Sequence, residues 1–275
     1  MELNAIAFFV SKIAYHTNLT ADERAALGTI AGKVKHFAAR RNVVRSGDTV
    51  HSACIVAEGI LARTLETSDG RRQITAVYVP GEMPDLHALL METATSNLYA
   101  ISEAKVVQIA RPAVRETVRQ FPILMEALWR EAILDTNIAM EWMANIGQRQ
   151  AKARLAHLFA EMAVRTHSVA TNEFNYSFPL TQSDLGEATG LSTVHINRSL
   201  QSLRAEKVLD FCKGRVTVRD WALLVRIADF DSAYMSAQPQ RLMKYPSACR
   251  SSPIMPGEVT LSESPTAEKY GSALG

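Results

Sequence analysis

Apolar and polar positions along the chain predict a helix followed by a run of short strands. Thr20 and Glu23 form a capping box, which predicts a helix over residues 20 to 40. The apolar stripe of this helix would consist of Leu27, Ile30 and Val34. From residue 43 to residue 109, short apolar or alternating runs are separated by turns at Ser46-Gly47-Asp48, Glu58-Gly59, Ser68-Asp69-Gly70 and Pro80-Gly81. This regular spacing of turns predicts an antiparallel barrel or jelly roll, and the alternative is a plain β-sandwich used only for interaction.

A long amphipathic helix is predicted after the strands. Pro112 suits the first turn of a helix, and Phe121-Pro122 separates that helix from residues 123 to 145, which contain neither proline nor glycine. The side chains that can share one apolar face are Leu124, Leu128, Ile138 and Trp142, with Leu134 nearby. We prefer a dimerisation helix to a helix packed wholly within its own chain. Glu131 and Asp135 interrupt a strict heptad and argue against a perfect coiled coil, and Gly147 marks the expected hinge.

The segment from Leu180 to Leu209 predicts two short helices joined by a glycine turn. Thr181 and Asp184 form an acidic capping box, and Gly190 stands where a left-handed residue would end the first helix. Ser192 can cap the second helix, whose buried side is marked by Ile196, Leu200 and Leu203. The outward side can meet base edges and phosphates with Thr193, Val194, Asn197, Arg198 and Gln201. The alternative is a structural helix pair within a larger all-α core.

An alternating pattern follows the helix pair, and an apolar helix precedes it. Val216 and Val218 alternate with polar residues after a tight turn at Lys213-Gly214, which predicts a small hairpin and therefore a winged helix. Lys213 and Arg215 at its tip suit phosphate contact. The preceding helix has a core stripe of Leu155, Leu158, Phe159 and Met162. Its basic residues Arg149, Lys152 and Arg154 can serve either DNA contact or a solvated face.

Composition and charge narrow the class of protein. The 275 residues are 47% apolar and 21% charged, which allows two domains with proper cores. The net charge is only +2, so nucleic-acid contact must come from a local patch. The N-terminal residues lack a basic leader and a long apolar run, so we expect a cytoplasmic protein without membrane contact. From Ala237 onward the Ser, Pro and Gly content predicts a disordered tail.

Residues that could hold a cofactor are few. The three cysteines are widely separated, which indicates neither a disulfide framework nor a cysteine-ligated zinc site. The seven histidines show no H-x-H or H-E-x-x-H spacing, so we do not expect an enzyme with clustered metal ligands on a barrel. No metal or cofactor is predicted.

The segment from Leu180 to Arg198 resembles the DNA-binding domain of the cyclic-AMP receptor and fumarate/nitrate reductase regulator (Crp/Fnr) superfamily of bacterial transcription regulators. It matches the superfamily pattern L-T-x-x-D-L-G-x-x-T-G-L-S-x-x-x-x-x-R, and the order helix, β-roll, long helix, winged helix matches across about residues 20 to 230. The resemblance implies an α+β fold with a cyclic-nucleotide-binding-like β-roll (jelly roll), a long dimerisation helix and a C-terminal winged helix-turn-helix. The implied divisions are an N-terminal segment (1–19), a sensor domain (20–120), a dimerisation helix (121–146), a DNA-binding domain (147–236) and a tail (237–275).

The function implied by this resemblance is that of a dimeric, sequence-specific transcription regulator that binds double-stranded DNA at a palindromic operator and contacts RNA polymerase. Carried over position by position, base contacts fall to Thr193, Val194 and Arg198. Many members have Glu where this chain has Val194, so the operator is expected to differ from the usual half-site. The implied DNA-contacting residues are Gln182, Ser192, Thr193, Val194, His195, Asn197, Arg198, Gln201, Lys213 and Arg215. The alternative is a winged-helix scaffold that binds a protein partner.

The sensor domain departs from the superfamily pattern at its ligand site. Members that bind cyclic nucleotides hold the ribose with a Gly-Glu pair and the phosphate with an Arg-Ser pair, whereas this chain has Asp85-Leu86 and Ala94-Thr95 there. A buried anion needs a guanidinium or several N–H donors, so we do not expect a cyclic nucleotide. Three cysteines cannot supply the four ligands of an iron–sulfur cluster, and His87 leaves a haem or redox sensor as the alternative. The effector pocket is expected to involve Gly81, Glu82, Asp85, Leu86, His87, Ala94 and Thr95.

Overall fold

The computed structural model of the chain describes residues 2–236, with side chains from residue 5 onward. Two helices open it, α1 (Glu2–His16) and α2 (Ala21–Gly28). The predicted capping box starts α2, because the Thr20 side chain accepts from the Glu23 N–H and the Glu23 carboxylate accepts from the Thr20 N–H.

The helix predicted for residues 20 to 40 is wrong beyond Gly28. The chain enters a strand, β1 (Gly32–Phe37), and Val34 lies in that strand. The spacing of the apolar residues fits a helix, but Lys33 and Lys35 flank Val34 in the alternation of a strand. Backbone pairing of the whole segment with residues 104–109 decides between the two patterns.

Seven strands form the predicted roll from two antiparallel sheets. Beyond β1 they are β2 (Arg41–Val44), β3 (Ser52–Glu58), β4 (Leu61–Glu66), β5 (Arg72–Tyr78), β6 (Asn97–Ala100) and β7 (Ala104–Ala110). One sheet has the order β1-β7-β3 and the other β2-β6-β4-β5. Cys54, Leu61, Tyr78 and Val106 belong to the buried core that the two sheets share. Helix α1 packs on the β3 and β7 side of the roll through Ile6, Phe9, Val10 and Ile13.

Three helices connect the roll to the C-terminal part. They are α3 (Arg111–Gln120), α4 (Ile123–Gln148) and α5 (Ala151–Arg165). Pro112 lies in the first turn of α3, as predicted. The hinge predicted at Gly147 is wrong, since α4 continues through Gly147 and the chain turns at Arg149 and Gln150, which are both extended. A glycine in the last turn of a helix lowers its stability without ending it.

Helix α4 has two apolar sides, and the row that the sequence analysis assigned to a dimer faces its own chain. Leu124, Leu128 and Trp142 are buried in the protomer, and Ile138 packs half-buried against its core. These side chains, assigned to the dimer face, are therefore not available to a second copy. The exposed side of α4 carries another apolar row, which includes Trp129, Ile133, Met140 and Met143.

The C-terminal part has the predicted winged helix-turn-helix. Its elements are β8 (Phe174–Ser177), α6 (Gln182–Thr189), α7 (Thr193–Ala205), β9 (Leu209–Cys212), β10 (Arg215–Val218), α8 (Trp221–Ala228) and a 3₁₀ turn (Ser232–Met235). The strands form one antiparallel sheet, β8-β10-β9. Helix α5 supplies the centre of the core, where Leu155, Phe159 and Met162 are fully buried. The tail predicted for residues 237–275 lies outside the described residues.

Candidate nucleic-acid interface and sensor cavity

The helix-turn-helix is set by local hydrogen bonds that the sequence encodes. The Thr181 hydroxyl accepts from the Asp184 N–H at 3.2 Å, and the Asp184 carboxylate accepts from the Thr181 N–H at 2.7 Å. Gly190 ends α6 with φ of +66°, and its N–H donates to the Gly186 carbonyl. A side chain at Gly186 would place its Cβ 2.7 Å from the Leu191 carbonyl oxygen, so the turn requires glycine there.

Helix α7 presents a polar face to solvent. The Ser192 side chain caps the helix by accepting from the His195 N–H, and Ile196 and Leu203 fix its inner side with no exposed surface. The side chains predicted to contact DNA from this helix are all exposed, namely Ser192, Thr193, Val194, His195, Asn197, Arg198 and Gln201. Asn197 donates to the Thr193 carbonyl at 3.1 Å. Arg198 forms no ion pair or hydrogen bond within residues 2–236, which leaves its five donors free for a ligand.

The wing tip lies next to the start of the first helix. Lys213 and Gly214 both have positive φ, +50° and +72°, which gives the tight turn of a hairpin. The Phe178 N–H donates to the Gly214 carbonyl at 2.7 Å, so the tip adjoins the segment that leads into α6 and the exposed Gln182. Lys213 is exposed, whereas Arg215 donates to Asn175 Oδ1 at 2.7 Å. The predicted DNA-contacting side chains of α6, α7 and the wing therefore lie on neighbouring elements and are exposed.

The basic residues near the DNA-binding unit form contacts within the protomer. Arg149 pairs with Glu141 at 2.8 Å, and Lys152 pairs with Glu206 at 2.8 Å. Arg154 Nη1 donates to the Thr189 carbonyl at 2.9 Å, where α6 ends. All three cations therefore have partners within the protomer, and a role in DNA contact remains a prediction.

An interface between the roll and α6 has no counterpart in the sequence predictions. Arg40 binds the Asp184 carboxylate in a bidentate pair, with Nη1–Oδ1 of 2.6 Å and Nη2–Oδ2 of 2.8 Å. Arg72 Nε pairs with Glu187 Oε2 at 2.7 Å. Burial alone would raise the pKa of Asp184, but hydrogen bonds from Arg40 and Thr181 outweigh it and hold the pKa below its ordinary value. We refer to the pairs Arg40–Asp184 and Arg72–Glu187 as the roll–α6 clamp.

A cavity of about 710 Å³ opens between the roll, a 3₁₀ segment (Leu86–Leu89), α3 and α4; we refer to it as the sensor cavity. On one wall, Arg63 Nη1 lies 3.2 Å from Asp135 Oδ2, and the Tyr78 hydroxyl donates to the same carboxylate at 3.2 Å. The interruption of the predicted heptad by Asp135 is explained by this contact, because the carboxylate faces its own roll.

A buried charge network forms the inner end of the sensor cavity. Lys12 of α1 pairs with Glu131 and lies 3.7 Å from Glu82, and Arg165 of α5 pairs with Glu82 at 2.6 Å. Arg165 also pairs with Glu161 at 2.8 Å. Burial would raise the pKa of Glu82, but Arg165 and Lys12 lower it below its ordinary value, so the carboxylate stays ionised. One feature of the sequence indicates this network, namely the carboxylate of Glu131 on an apolar helix face.

The residues predicted for the effector pocket fall into two groups. Glu82, Leu86, His87 and Thr95 line the sensor cavity. The other three do not: Gly81 is covered by the Phe8 ring, Asp85 is buried beside Cys54, and Ala94 packs with Val50 and Ala88.

The ionisation of two of these residues bears on the redox and haem alternatives. Burial raises the pKa of Asp85 to about 6, and burial together with Asp85 raises the pKa of the Cys54 thiol well above its usual range. Cys54 is therefore a protonated core residue and a poor redox sensor. Burial and the nearby Arg63 lower the pKa of His87. Among the described residues, no three His, Cys, Asp or Glu side chains are grouped to hold a metal ion.

A β-roll with an internal cavity, a long connecting helix and a winged helix with a free polar reading face define a two-domain DNA-binding regulator. A family model of the cyclic nucleotide-binding domain matches residues 34–121, and one of the Crp-like helix-turn-helix domain matches residues 153–227. The chain belongs to the Crp/Fnr superfamily, and it is a transcription regulator rather than an enzyme.

Individual relatives agree with this assignment. The chain is 25% identical over 203 residues to the transcriptional activator protein FnrL of Cereibacter sphaeroides. This alignment covers 72% of this chain and 81% of FnrL. It is 25% identical over 208 residues to the nitrogen fixation regulation protein FixK of Azorhizobium caulinodans, covering 74% of this chain and 80% of FixK. The structure of FixK2 from Bradyrhizobium japonicum superimposes with a TM-score of 0.64 at 20% identity, over 72% of this chain and 97% of FixK2.

Proposed function

We propose that the chain acts as a homodimer that reads a palindromic operator with α7 and responds to an effector bound in the sensor cavity. The observation that carries the reading role is Arg198, which is exposed and has no partner within residues 2–236, on a helix whose opposite side is buried. Such a regulator works on chromosomal DNA, so we place it in the cytoplasm, with RNA polymerase as a further partner. No helix in residues 2–236 combines the length and apolar character that crossing a bilayer requires.

Each exposed side chain of the DNA-binding unit is assigned a role by its chemistry. Arg198 suits a bidentate bond to guanine, and Thr193 and Val194 suit contact with base edges, Val194 through the thymine methyl group. The remaining residues suit phosphates and positioning: Gln182, Ser192, His195, Asn197, Gln201, Lys213 and Arg215. A dimer would place two such faces about one helical turn of DNA apart.

The exposed row on α4 supports dimerisation through a second copy of this helix. Trp129, Ile133, Met140 and Met143 are 67%, 57%, 55% and 72% exposed, and the exposed Thr136 completes the row. Their spacings alternate between four and three residues, the period of a two-stranded coiled coil. We refer to these five residues as the α4 stripe. Isolated large apolar side chains on a surface need no partner, but a continuous row along a helix does.

The sensor cavity adjoins both the α4 stripe and the DNA-binding unit, which supports a regulatory role. Trp129 and Thr136 of the stripe also line the cavity, so a ligand there would contact the dimer helix. Arg165 lines the cavity from the end of α5, the central helix of the winged-helix core. We infer that an effector shifts the balance between two placements of the winged helix by changing these contacts.

The experiment is a selection of bound duplexes from a random DNA pool, followed by footprinting of the enriched sequence. Arg198→Ala should weaken binding by about 1–3 kcal/mol per half-site and relax the preference at one base position. Arg204→Ala is the matched control, because Arg204 is an exposed arginine of the same helix that pairs with Asp210 at 2.6 Å. Failure to enrich any sequence, or an unchanged preference in Arg198→Ala, would contradict the assignment.

A further inference from the structure

The lining of the sensor cavity is mostly apolar, both at its mouth and in its interior. Leu90, Trp129, Leu65 and Met125 line it and are 66%, 67%, 49% and 42% exposed in the protomer, so they form its rim. Deeper apolar residues are Met83, Leu89, Val114, Leu128 and Leu134. A ligand that fills this space must present a largely apolar body.

The 3₁₀ segment and the residues after it, which form one wall of the cavity, are held in place without a ligand. Arg111, buried at the start of α3, donates through Nε to the Ala88 carbonyl at 2.9 Å and through Nη2 to the Met91 carbonyl at 2.9 Å, and it also binds the Val50 carbonyl. These bonds fix the 3₁₀ segment and the residues after it. The cavity is therefore a preformed site, which reduces the ordering that binding would otherwise require.

The buried charges of the cavity leave no cation for a phosphate. Lys12, Arg63 and Arg165 are each paired with carboxylates of the same chain, as described above. A phosphate placed at the inner end would have to break one of these pairs to obtain a cation, at the cost of an unpaired buried carboxylate. The inner end of the cavity is thus closed to a second anion.

Arg115 is the exception among the basic residues that line the cavity. It lies on α3, is exposed, and forms no ion pair or hydrogen bond within the described part of the chain. A guanidinium beside an apolar rim can bind one carboxylate through two parallel hydrogen bonds without displacing any existing partner. Within residues 2–236, the cavity therefore combines an apolar interior with one free positive charge at its exposed side.

We propose that the effector is an amphipathic carboxylic acid, whose apolar body fills the sensor cavity and whose carboxylate pairs with Arg115. The proposal rests on the assignment of the cavity as the effector site under the proposed function. The volume of about 710 Å³ lies within the range of small-molecule sites, which is about 300–1,000 Å³, and accommodates a body of aliphatic or small aromatic size.

The test compares sodium decanoate with decanol, which has the same hydrocarbon chain and no charge, by titration calorimetry of the full-length protein. Decanoate should bind more tightly than decanol by about fivefold, and Arg115→Ala should remove that difference while leaving decanol binding unchanged. Arg119→Ala is the matched control, because Arg119 is exposed on the same helix, pairs with Glu116 at 2.8 Å and lies outside the cavity lining. Cyclic AMP is titrated in parallel.

A fluorescence measurement locates the bound acid. Trp129 lines the cavity and is 67% exposed, whereas Trp142 and Trp221 are 4% and 8% exposed. Decanoate should change the emission of Trp129, and Trp129→Phe should lose that change while calorimetry still detects binding.

Three outcomes would overturn the proposal: no binding of decanoate, equal binding of decanoate and decanol to the unaltered protein, or tighter binding of cyclic AMP. The comparison of the two ligands on the unaltered protein holds even if Arg115→Ala fails to fold. Binding of decanoate without any effect on operator affinity would instead contradict the effector role of the cavity, so the two failures are distinguishable.

Discussion

Arg40→Ala removes one half of the ion pair that joins the roll to the first helix of the DNA-binding unit. In the native protein, both Asp184 oxygens accept from Arg40, and the Asp184 side chain is 2% exposed. After the substitution, the carboxylate keeps its bonds from the Thr181 N–H and hydroxyl, each of 2.7 Å. It loses its nearer counter-charge in a place that water hardly reaches, and Arg72 Nη2, 3.8 Å from Asp184 Oδ1, is the cation that remains.

The magnitude follows from this asymmetric burial. Breaking a fully buried ion pair costs about 3–5 kcal/mol, while an exposed pair contributes about 0–1 kcal/mol. The Arg40 side chain is 39% exposed, so solvent already screens part of the attraction. The remaining bonds from Thr181 also compensate for part of the loss. We therefore expect Arg40→Ala to lower the free energy of unfolding by about 1–3 kcal/mol.

The assay is guanidinium denaturation at several pH values, with Arg41→Ala as the control because Arg41 is an exposed arginine next to Arg40, at the start of β2. The folded-state pKa of Asp184 lies below its ordinary value. Its stabilisation is therefore present above about pH 4 and is lost as the pH falls through the folded pKa. The difference between Arg40→Ala and the native protein should narrow below about pH 4.

Two results would refute this reasoning. If Arg40→Ala matched Arg41→Ala at neutral pH, the bidentate pair would contribute nothing to stability. If the two variants differed by the same amount at every pH, the effect would come from lost packing of the Arg40 stem and not from the charge of Asp184.

Three further predictions concern the α4 stripe, the turn and the core. Met143→Glu should weaken dimerisation by about a hundredfold or more in sedimentation velocity, because a two-fold interface buries the new charge twice. Tyr15→Glu, at an exposed site on α1, is the control and should leave dimerisation unchanged. Gly190→Ala should lower the free energy of unfolding by about 1–2 kcal/mol, because φ is +66° there. Gly147→Ala, in a helix with open space around it, should instead raise it by about 0.5–1 kcal/mol. Thermal or chemical denaturation measures both changes. Burial lowers the pKa of His157 to about 3, so the folded protein keeps this ring neutral while the unfolded chain binds a proton below about pH 6.5. Stability should therefore fall as the pH drops below about 6.5. His157→Leu should flatten that slope.

Local features of the fold could be predicted from the sequence because their causes lie within a few residues. The capping boxes at Thr20 and Thr181 and the turn at Gly190 depend on side chains three residues away or on the backbone freedom of one glycine. The end of α2 could not be predicted, because the spacing of Leu27, Ile30 and Val34 fits one continuous helix as well as a helix followed by a strand. Pairing of β1 with β7, whose residues lie far away in the sequence, decides that case.

The assignment of the faces of α4 required tertiary structure for a different reason. Periodicity identifies apolar rows, but a helix buried on two sides has two rows, and nothing local states which belongs to the protomer. Glu131 and Asp135 indicate which row faces its own chain, because a carboxylate among apolar residues needs a partner on that side. The partners themselves, Lys12 and Arg63, lie more than seventy residues away in sequence.

Asp184 connects the local motif to the regulation we propose. Its carboxylate closes the capping box of α6 and also binds Arg40 of the roll, so the residue that starts the helix-turn-helix also fixes its position on the sensor domain. An effector can alter DNA affinity only through contacts that differ between the two placements of the winged helix. If the roll–α6 clamp is one such contact, Arg40→Ala should change operator affinity in the absence of the effector and reduce the ratio of affinities with and without it. A variant that is less stable but keeps the full ratio would show that the clamp holds both placements equally, and the coupling would then have to pass through Arg165 and Glu82.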